Sequence, residues 1–129
     1  MGLDPKLTPA LPEIAPGSVW LVGVGPGDPG LLTLLALHAL HGADIVVYDA
    51  LVDSAILDLV RPGTELVYAG KRGGRPSHDQ RDITERLVEM AEAGNRVVRL
   101  KGGDPYVFGR GGEEAQALAG AGIPFRIVP

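Results

Sequence analysis

The stretch VWLVGVGPGDPGLL, residues 19–32, decides the fold of this chain. Residues 19–24 are an apolar, β-branched run of the kind that forms a buried strand. Three glycines and two prolines follow at once, and an apolar helical pattern occupies residues 31–40. A strand that passes through a glycine-rich loop into a helix is typical of the opening unit of an α/β sheet.

The same alternation continues to residue 129. Because apolar strands that alternate with helices form parallel sheets, we predict an α/β fold: a parallel five-stranded sheet flanked by helices on both faces. Ligands of such sheets bind beyond the carboxyl ends of the strands. The predicted strands are residues 19–24, 45–48, 65–69, 96–100 and 125–128, and the predicted helices are residues 31–40, 54–60, 78–93 and 113–121.

Composition excludes several classes of protein. The 129 residues are 45% hydrophobic with a net charge of −4, which fits a soluble domain and argues against nucleic-acid binding. The absence of cysteine excludes disulfides and thiolate chemistry, and no apolar run reaches the ~18 residues of a membrane span. Residues 1–17 contain four prolines, so we predict a flexible Pro-rich leader on a cytoplasmic protein, followed by one domain at residues 18–129.

The loop at residues 25–30 raises the alternative of a dinucleotide site. It matches the glycine pattern G-x-G-x-x-G, and Asp49 follows about 20 residues later, where such a site places its ribose-binding acid. Pro26 argues against this alternative because it removes an amide from the turn that would hold a pyrophosphate. Asp28 argues against it too, because its negative charge lies where the phosphates would bind, and it is also suited to cap the first helix.

Two later loops are rich in glycine and basic residues. Lys71, Arg72 and Arg75 place three positive charges on a loop at the predicted ligand edge of an acidic protein, which indicates an anionic ligand. Residues 100–114, LKGGDPYVFGRGGEE, contain five glycines, whose bare backbone lets a ligand approach closely. Within them Arg110 stands between two glycines in the loop. The two glutamates that follow suit the start of a helix by their charge.

Four blocks of sequence together resemble the tetrapyrrole methylase family. They are VGVGPGDPGLLT, VVYDALV, AGKRGGRPS and VVRLKGGDPYVFGRGGEEA, in this order, and the likeness runs from about Val19 to Pro129. Within the family it is strongest to the branch that methylates uroporphyrinogen III. Members have a second α/β domain, so the resemblance implies that this chain is the N-terminal half of a two-domain tetrapyrrole methylase.

The resemblance implies an enzyme that uses S-adenosylmethionine. Its substrate is uroporphyrinogen III and its product is precorrin-2, which feeds sirohaem and cobalamin synthesis. A homodimer is implied too, and a lone N-terminal half is expected to be inactive. Three alternatives stay open: another corrin-ring methyltransferase of the family, a non-catalytic module that binds tetrapyrrole or a partner, and the dinucleotide-binding domain.

The resemblance also assigns roles to individual residues. Asp49 is the implied proton acceptor and Lys71 the implied donor, while Arg110 and Glu113 stand where related enzymes bind substrate and assist the base. Because an arginine stays protonated, Glu113 is the better base of that pair. The implied cofactor-binding residues are Pro26, Gly102, Gly103, Asp104 and Val107, and the substrate carboxylates fall to Arg72, Arg75 and Arg110. No metal site is expected, since His38 and His41 offer only two ligands on one helix.

Overall fold

The computed structural model describes residues 11–25, 28–69, 80–102 and 110–129, and for residues 80, 81, 110 and 111 the backbone alone. Strands and helices alternate along the described residues. The strands are β1 (Ser18–Gly23), β2 (Ile45–Tyr48), β3 (Glu65–Tyr68), β4 (Arg96–Lys101) and β5 (Phe125–Val128). The α-helices are α1 (Leu34–Gly42), α2 (Ser54–Leu57), α3 (Gln80–Glu92) and α4 (Arg110–Gly120), and a 3-10 turn occupies Pro29–Leu31.

The five strands form one sheet in the order β3-β2-β4-β1-β5, and all of their pairings are parallel. This confirms the predicted fold class. β1 is buried along its whole length, and the four inner residues of β4 are buried as well. The β-branched and apolar residues of these strands are therefore covered on both sides, as parallel sheets require.

Helices cover both faces of the sheet. On one face α1 and α2 pack against a core that includes Trp20, Val46 and Leu100. On the other face the core contains Val97 of β4, Leu87 of α3 and Leu118 of α4. Because side chains alternate along a strand, residues 97, 99 and 101 of β4 all belong to the face that α3 and α4 cover.

The first helix starts later than predicted, and local capping explains the difference. The Asp28 carboxylate accepts a hydrogen bond from the Gly30 N–H at 2.8 Å, which closes the short 3-10 turn instead of the predicted helix. The Thr33 hydroxyl then accepts from the Ala36 N–H at 3.0 Å and forms the N-cap of α1. Two caps in succession therefore divide a segment that the apolar pattern alone had joined.

The last helix starts earlier than predicted, at Arg110 rather than Glu113. Arg110 is therefore a helical residue, and its prediction as part of a loop was wrong. Gly111 and Gly112 are helical despite their low propensity, which tertiary packing of a helix overrides. α2 is shorter than predicted, and its N-cap is Asp53, whose carboxylate accepts a 2.8 Å hydrogen bond from the Ala55 N–H.

Part of the segment predicted as a leader packs on the domain. The Ile14 side chain is buried in the core beneath α1, and the Ile14 carbonyl accepts a hydrogen bond from Arg96 Nε at 3.1 Å. Residues 1–10 lie outside the described residues. Among the helices that the structure describes, none has the length and apolar character needed to span a bilayer.

Candidate active site

The connections that leave two neighbouring strands, β1 and β4, run in opposite directions across the sheet. From β1 it continues through α1 to β2 on one side, and from β4 it continues through α4 to β5 on the other. A crevice opens at the carboxyl ends of two strands whose connections diverge in this way, and ligands of open α/β sheets bind there. The loops that border this point contain Gly25, Asp49 and Gly102.

Gly25 follows β1 at this edge. Its φ of +68° lies in the left-handed region, which side-chain-bearing residues rarely adopt. Among the described residues, the chain neighbours of Gly25 aside, no atom lies within 4 Å of where a Cβ would stand, so open space lies beside this backbone. A bound molecule can therefore approach the main chain directly at this point.

Asp49 follows β2, and its carboxylate is held from two directions. Oδ1 accepts a hydrogen bond from the Leu51 N–H at 2.9 Å. Oδ2 lies 3.8 Å from Nη2 of Arg99, a residue of the neighbouring strand β4. The Asp49 side chain is 25% exposed, so it remains accessible from the crevice. The arrangement is that of a fixed carboxylate which can accept a proton from a bound molecule.

A buried cluster of charges lies behind Asp49, and sequence reasoning missed it. Glu114 on α4 is fully buried. Its Oε1 forms ion pairs with Nζ of Lys101 at 2.8 Å and with Nε of Arg99 at 3.3 Å. Arg99 is itself 4% exposed, and its Nη1 donates to the Leu100 carbonyl at 3.3 Å. Two cations thus compensate one buried anion, and the Asp49 carboxylate supplies the second negative charge.

Burial is the main influence on Lys101. Desolvation lowers the pKa of its ammonium group, and the nearby Arg99 charge acts in the same direction. The Glu114 carboxylate opposes this shift through its charge and its hydrogen bond, and Asp49 opposes it more weakly. The net direction is downward, so removal from water outweighs the two acidic neighbours.

Gly102 has a packing role within the chain itself. A Cβ at this position would stand 2.5 Å from the Leu51 Cβ and 2.6 Å from the Leu51 carbonyl carbon and oxygen. The loop after β4 therefore lies directly against the loop that holds Asp49. Only glycine permits this contact, since atoms so placed would overlap with the backbone.

The structure brings together a part of the predicted site. Asp49 and Gly102 lie in adjoining loops at the carboxyl edge of the sheet. Glu113 is exposed in the first turn of α4, whereas its neighbour Glu114 is buried, so the charge of Glu114 is not there only to suit the start of a helix. The side chain of Arg110 lies outside the described residues, as do Pro26, Lys71, Arg72, Arg75, Gly103, Asp104 and Val107.

One weak signal in the sequence points to the missed cluster. In the strand RVVRLK, Arg99 and Lys101 occupy alternate positions after the apolar pair Val97–Val98, so one buried face of the sheet had to contain both of their charges. A buried acid was needed as partner, and GGEE contains two candidates. Within the described residues no group of three or more histidine, aspartate or glutamate side chains is arranged to hold a metal ion.

Comparison with known proteins agrees with this architecture. Residues 18–129 match the family model of the Tetrapyrrole (Corrin/Porphyrin) Methylases. A uroporphyrinogen-III C-methyltransferase of Sinorhizobium sp. is 67% identical over 119 residues, which are 92% of this chain and 42% of that protein.

Two crystal structures of uroporphyrin-III C-methyltransferase from Thermus thermophilus are also similar. The first has a TM-score of 0.75 and 51% identity, and the alignment covers 88% of this chain and 47% of that one. The second, in complex with S-adenyl homocysteine, has a TM-score of 0.72 and 50% identity, covering 87% and 44%.

The chain thus spans less than half the length of each of these proteins. The match to the family model covers the whole sheet with its helices, from the first residue of β1 to residue 129. The site at the carboxyl ends of β1, β2 and β4 lies entirely within this matched region. The chain belongs to the tetrapyrrole methylase family.

Proposed function

We propose that this chain is the N-terminal half of an enzyme that methylates carbon atoms of uroporphyrinogen III and forms precorrin-2. The observation that carries the proposal is 67% identity, over 119 residues, to a uroporphyrinogen-III C-methyltransferase. The fixed and accessible carboxylate of Asp49 at the edge of the sheet supports it. Since the chain covers 42% of that relative, the activity belongs to the whole protein, and the 129-residue chain alone is expected to give no turnover.

The proposed cofactor is S-adenosylmethionine. The open backbone at Gly25 fits a compact ligand, and the exposed side chains of Leu31 and Leu51, in the loops after β1 and β2, offer apolar surface to it. The crystallised relative with S-adenyl homocysteine supports this choice. When bound, the cofactor supplies an activated methyl group on a sulfonium. We assign its binding to Pro26, Gly102, Gly103, Asp104 and Val107.

Methylation of a ring carbon requires that a proton leave the macrocycle, so a base must lie within reach. We assign this role to Asp49, because its carboxylate is both oriented and accessible. Lys71 is the proposed proton donor. Glu113, exposed at the start of α4, is a second acid that can assist, and Arg110 on the same turn supplies positive charge.

The substrate has eight carboxylates, so its recognition needs several cations. Arginine suits this task because its planar guanidinium binds a carboxylate through two parallel hydrogen bonds. We assign substrate binding to Arg72, Arg75 and Arg110. Of these, Arg110 begins α4, whose fifth residue, Glu114, is anchored in the buried cluster, so the direction in which the helix starts is defined.

We also propose a cytoplasmic homodimer. Phe125 and Ile127 on β5 and Leu66 on β3 are exposed apolar residues on the two edge strands. Exposed apolar edges favour association. Light scattering coupled to size-exclusion chromatography measures the mass directly, and a monomeric mass for the full-length protein at micromolar concentration contradicts the dimer.

The decisive experiment uses a polypeptide of full family length. In this fusion, residues 1–129 are followed by the remainder of the Sinorhizobium relative. We expect it to convert uroporphyrinogen III and S-adenosylmethionine to precorrin-2, detected by absorbance and mass. Asp49→Ala is expected to abolish turnover, whereas Asp53→Ala, a cap four residues later, should retain it. Wild-type rates in the Asp49→Ala fusion contradict the assigned role.

Calorimetric titration separates this proposal from the dinucleotide alternative. We expect the fusion to bind S-adenosylhomocysteine and not NADH. The 129-residue chain is expected to bind S-adenosylhomocysteine more weakly than the fusion, because it supplies one wall of the cleft. Binding of NADH alone by the fusion overturns the proposed cofactor.

A further inference from the structure

The charged side chains of Arg99, on β4, and Glu114, on α4, occupy positions in the buried layer between sheet and helix, where apolar core residues are usual. Arg99 is 4% exposed and Glu114 is fully buried, between β4 and α4. Removal of charged groups from water costs more than a single ion pair generally returns. Apolar side chains at these positions would therefore stabilise the fold at least as well as the charged cluster does. Because the cluster lies next to Asp49, its position indicates a role at that residue.

The register of the sheet brings Arg99 to Asp49. Arg99 pairs with Val47 of β2 in the parallel ladder. Asp49 lies two residues after Val47, so the two side chains belong to the same face of the sheet. The guanidinium of a buried strand residue thereby reaches the carboxylate at the end of the neighbouring strand, with Nη2 3.8 Å from Oδ2.

Arg99 is itself held firmly. Nε lies 3.3 Å from the Glu114 carboxylate, and Nη1 donates to the Leu100 carbonyl at 3.3 Å. A planar guanidinium anchored on two edges has a fixed orientation, so its third nitrogen faces Asp49 in a defined direction. Lys101 Nζ lies 2.8 Å from the same Glu114 oxygen and thereby also holds that carboxylate in place.

We infer that Arg99 is a positioning residue that orients the Asp49 carboxylate, and that Glu114 and Lys101 hold Arg99 in place. Asp49 Oδ2 is turned toward Arg99 while Oδ1 remains on the Leu51 amide. The catalytic consequence rests on the proposed function, in which Asp49 accepts the proton. The positioning itself is a property of this chain and is tested without any turnover.

The first test is amide hydrogen exchange in the 129-residue chain with Arg99→Lys. Lysine keeps the positive charge beside Glu114 but lacks the fork that also reaches Asp49. We expect the Leu51 amide, which donates to Asp49 Oδ1, to exchange about fivefold faster, as for the loss of one typical hydrogen bond. The Ala55 amide, which donates to Asp53 Oδ1 at 2.8 Å, is the matched control and should be unchanged. An unchanged Leu51 rate overturns the inference.

The second test measures turnover in the fusion. The triple variant Arg99→Met, Lys101→Met and Glu114→Met replaces the buried charges by apolar side chains, a change that proteins often tolerate without loss of stability. We expect kcat to fall about 100-fold, as for a misplaced catalytic group, with KM for S-adenosylmethionine and the melting temperature retained. Arg96→Met, on the same strand but at the opposite end of the sheet, should keep wild-type kcat.

Arg99→Lys in the fusion provides the same test with a smaller change in the core, and its kcat should fall as well. Wild-type kcat in either variant overturns the inference that Arg99 affects turnover through the orientation of Asp49, whatever the Leu51 exchange rate is. The two proposals fail separately. An unsubstituted fusion that does not methylate uroporphyrinogen III refutes the proposed function, whereas the Leu51 exchange rate still decides whether Arg99 positions Asp49.

Discussion

The two adjacent glutamates of α4 provide a matched test of the buried cluster. Glu114 is fully buried and contacts Lys101 and Arg99, whereas Glu113 is exposed. Glu114→Ala leaves two cations without the carboxylate that compensates them, and removal of one partner from a buried ion pair costs about 3–5 kcal/mol. Glu113→Ala should change the free energy of unfolding by less than about 0.5 kcal/mol, as is usual for the surface.

The predicted loss is large against the whole stability of a domain this size, which is about 5–15 kcal/mol. It corresponds to a fall in melting temperature of about 12–20 °C. Trp20, the single tryptophan of the chain, is buried in β1, so its fluorescence reports unfolding in urea. A loss below about 1 kcal/mol for Glu114→Ala, or equal losses for the two variants, would refute the view that this cluster is a compensated buried charge system.

Three further predictions concern stability and are measured by the same unfolding assay. Gly102→Ala should destabilise the chain by about 1–3 kcal/mol, because the added Cβ overlaps Leu51. Gly112→Ala, in α4 with open space among the described residues, should stabilise the chain by up to about 1 kcal/mol. Equal effects of the two substitutions contradict the close contact at Gly102. The pKa of Lys101 is lowered on folding, so just below pH 10.5, the ordinary lysine pKa, the unfolded chain binds more protons than the folded chain. The free energy of unfolding should therefore rise with pH in that window, and it should rise less in Lys101→Met. Parallel pH curves for the two proteins contradict this prediction. Asp44→Ala, at the opposite end of the sheet, should lower the free energy of unfolding by about 1–3 kcal/mol. The Asp44 carboxylate accepts hydrogen bonds from the Arg96 backbone N–H at 2.7 Å and from the Arg61 guanidinium at 2.9 Å. A loss within error of zero contradicts a stabilising role for these bonds.

The sequence alone was sufficient for the fold class, and it directed attention to the loops of the candidate site. Strands that are apolar throughout can be satisfied only when both faces are covered, so the alternation with helices predicted a parallel sheet. The loops after the strands were then the place to look for function, and Asp49 was found there. These inferences depend on local pattern, and local pattern is what a sequence displays directly.

Helix ends and the orientation of side chains needed tertiary information. The capping groups of Asp28 and Thr33 compete within one apolar run, and the sequence does not reveal which of them begins the helix. The start of α4 at Arg110 runs against the low helix propensity of its glycines. At the first helix two competing local caps set the boundary, whereas at α4 the packing of the helix outweighs its weak local preference.

The buried charged cluster shows most clearly what could not be predicted from the sequence. Glu113 and Glu114 are chemically identical and adjacent, yet successive helical residues point about 100° apart, so one is exposed and the other buried. Only the packing of α4 on β4 selects Glu114 as the partner of Arg99, and only the register of β2 against β4 brings Arg99 to Asp49. The sequence by itself determined which residue types meet at the carboxyl edge of the sheet. The tertiary structure decided which charges pair, because that pairing depends on contacts between segments far apart in the chain.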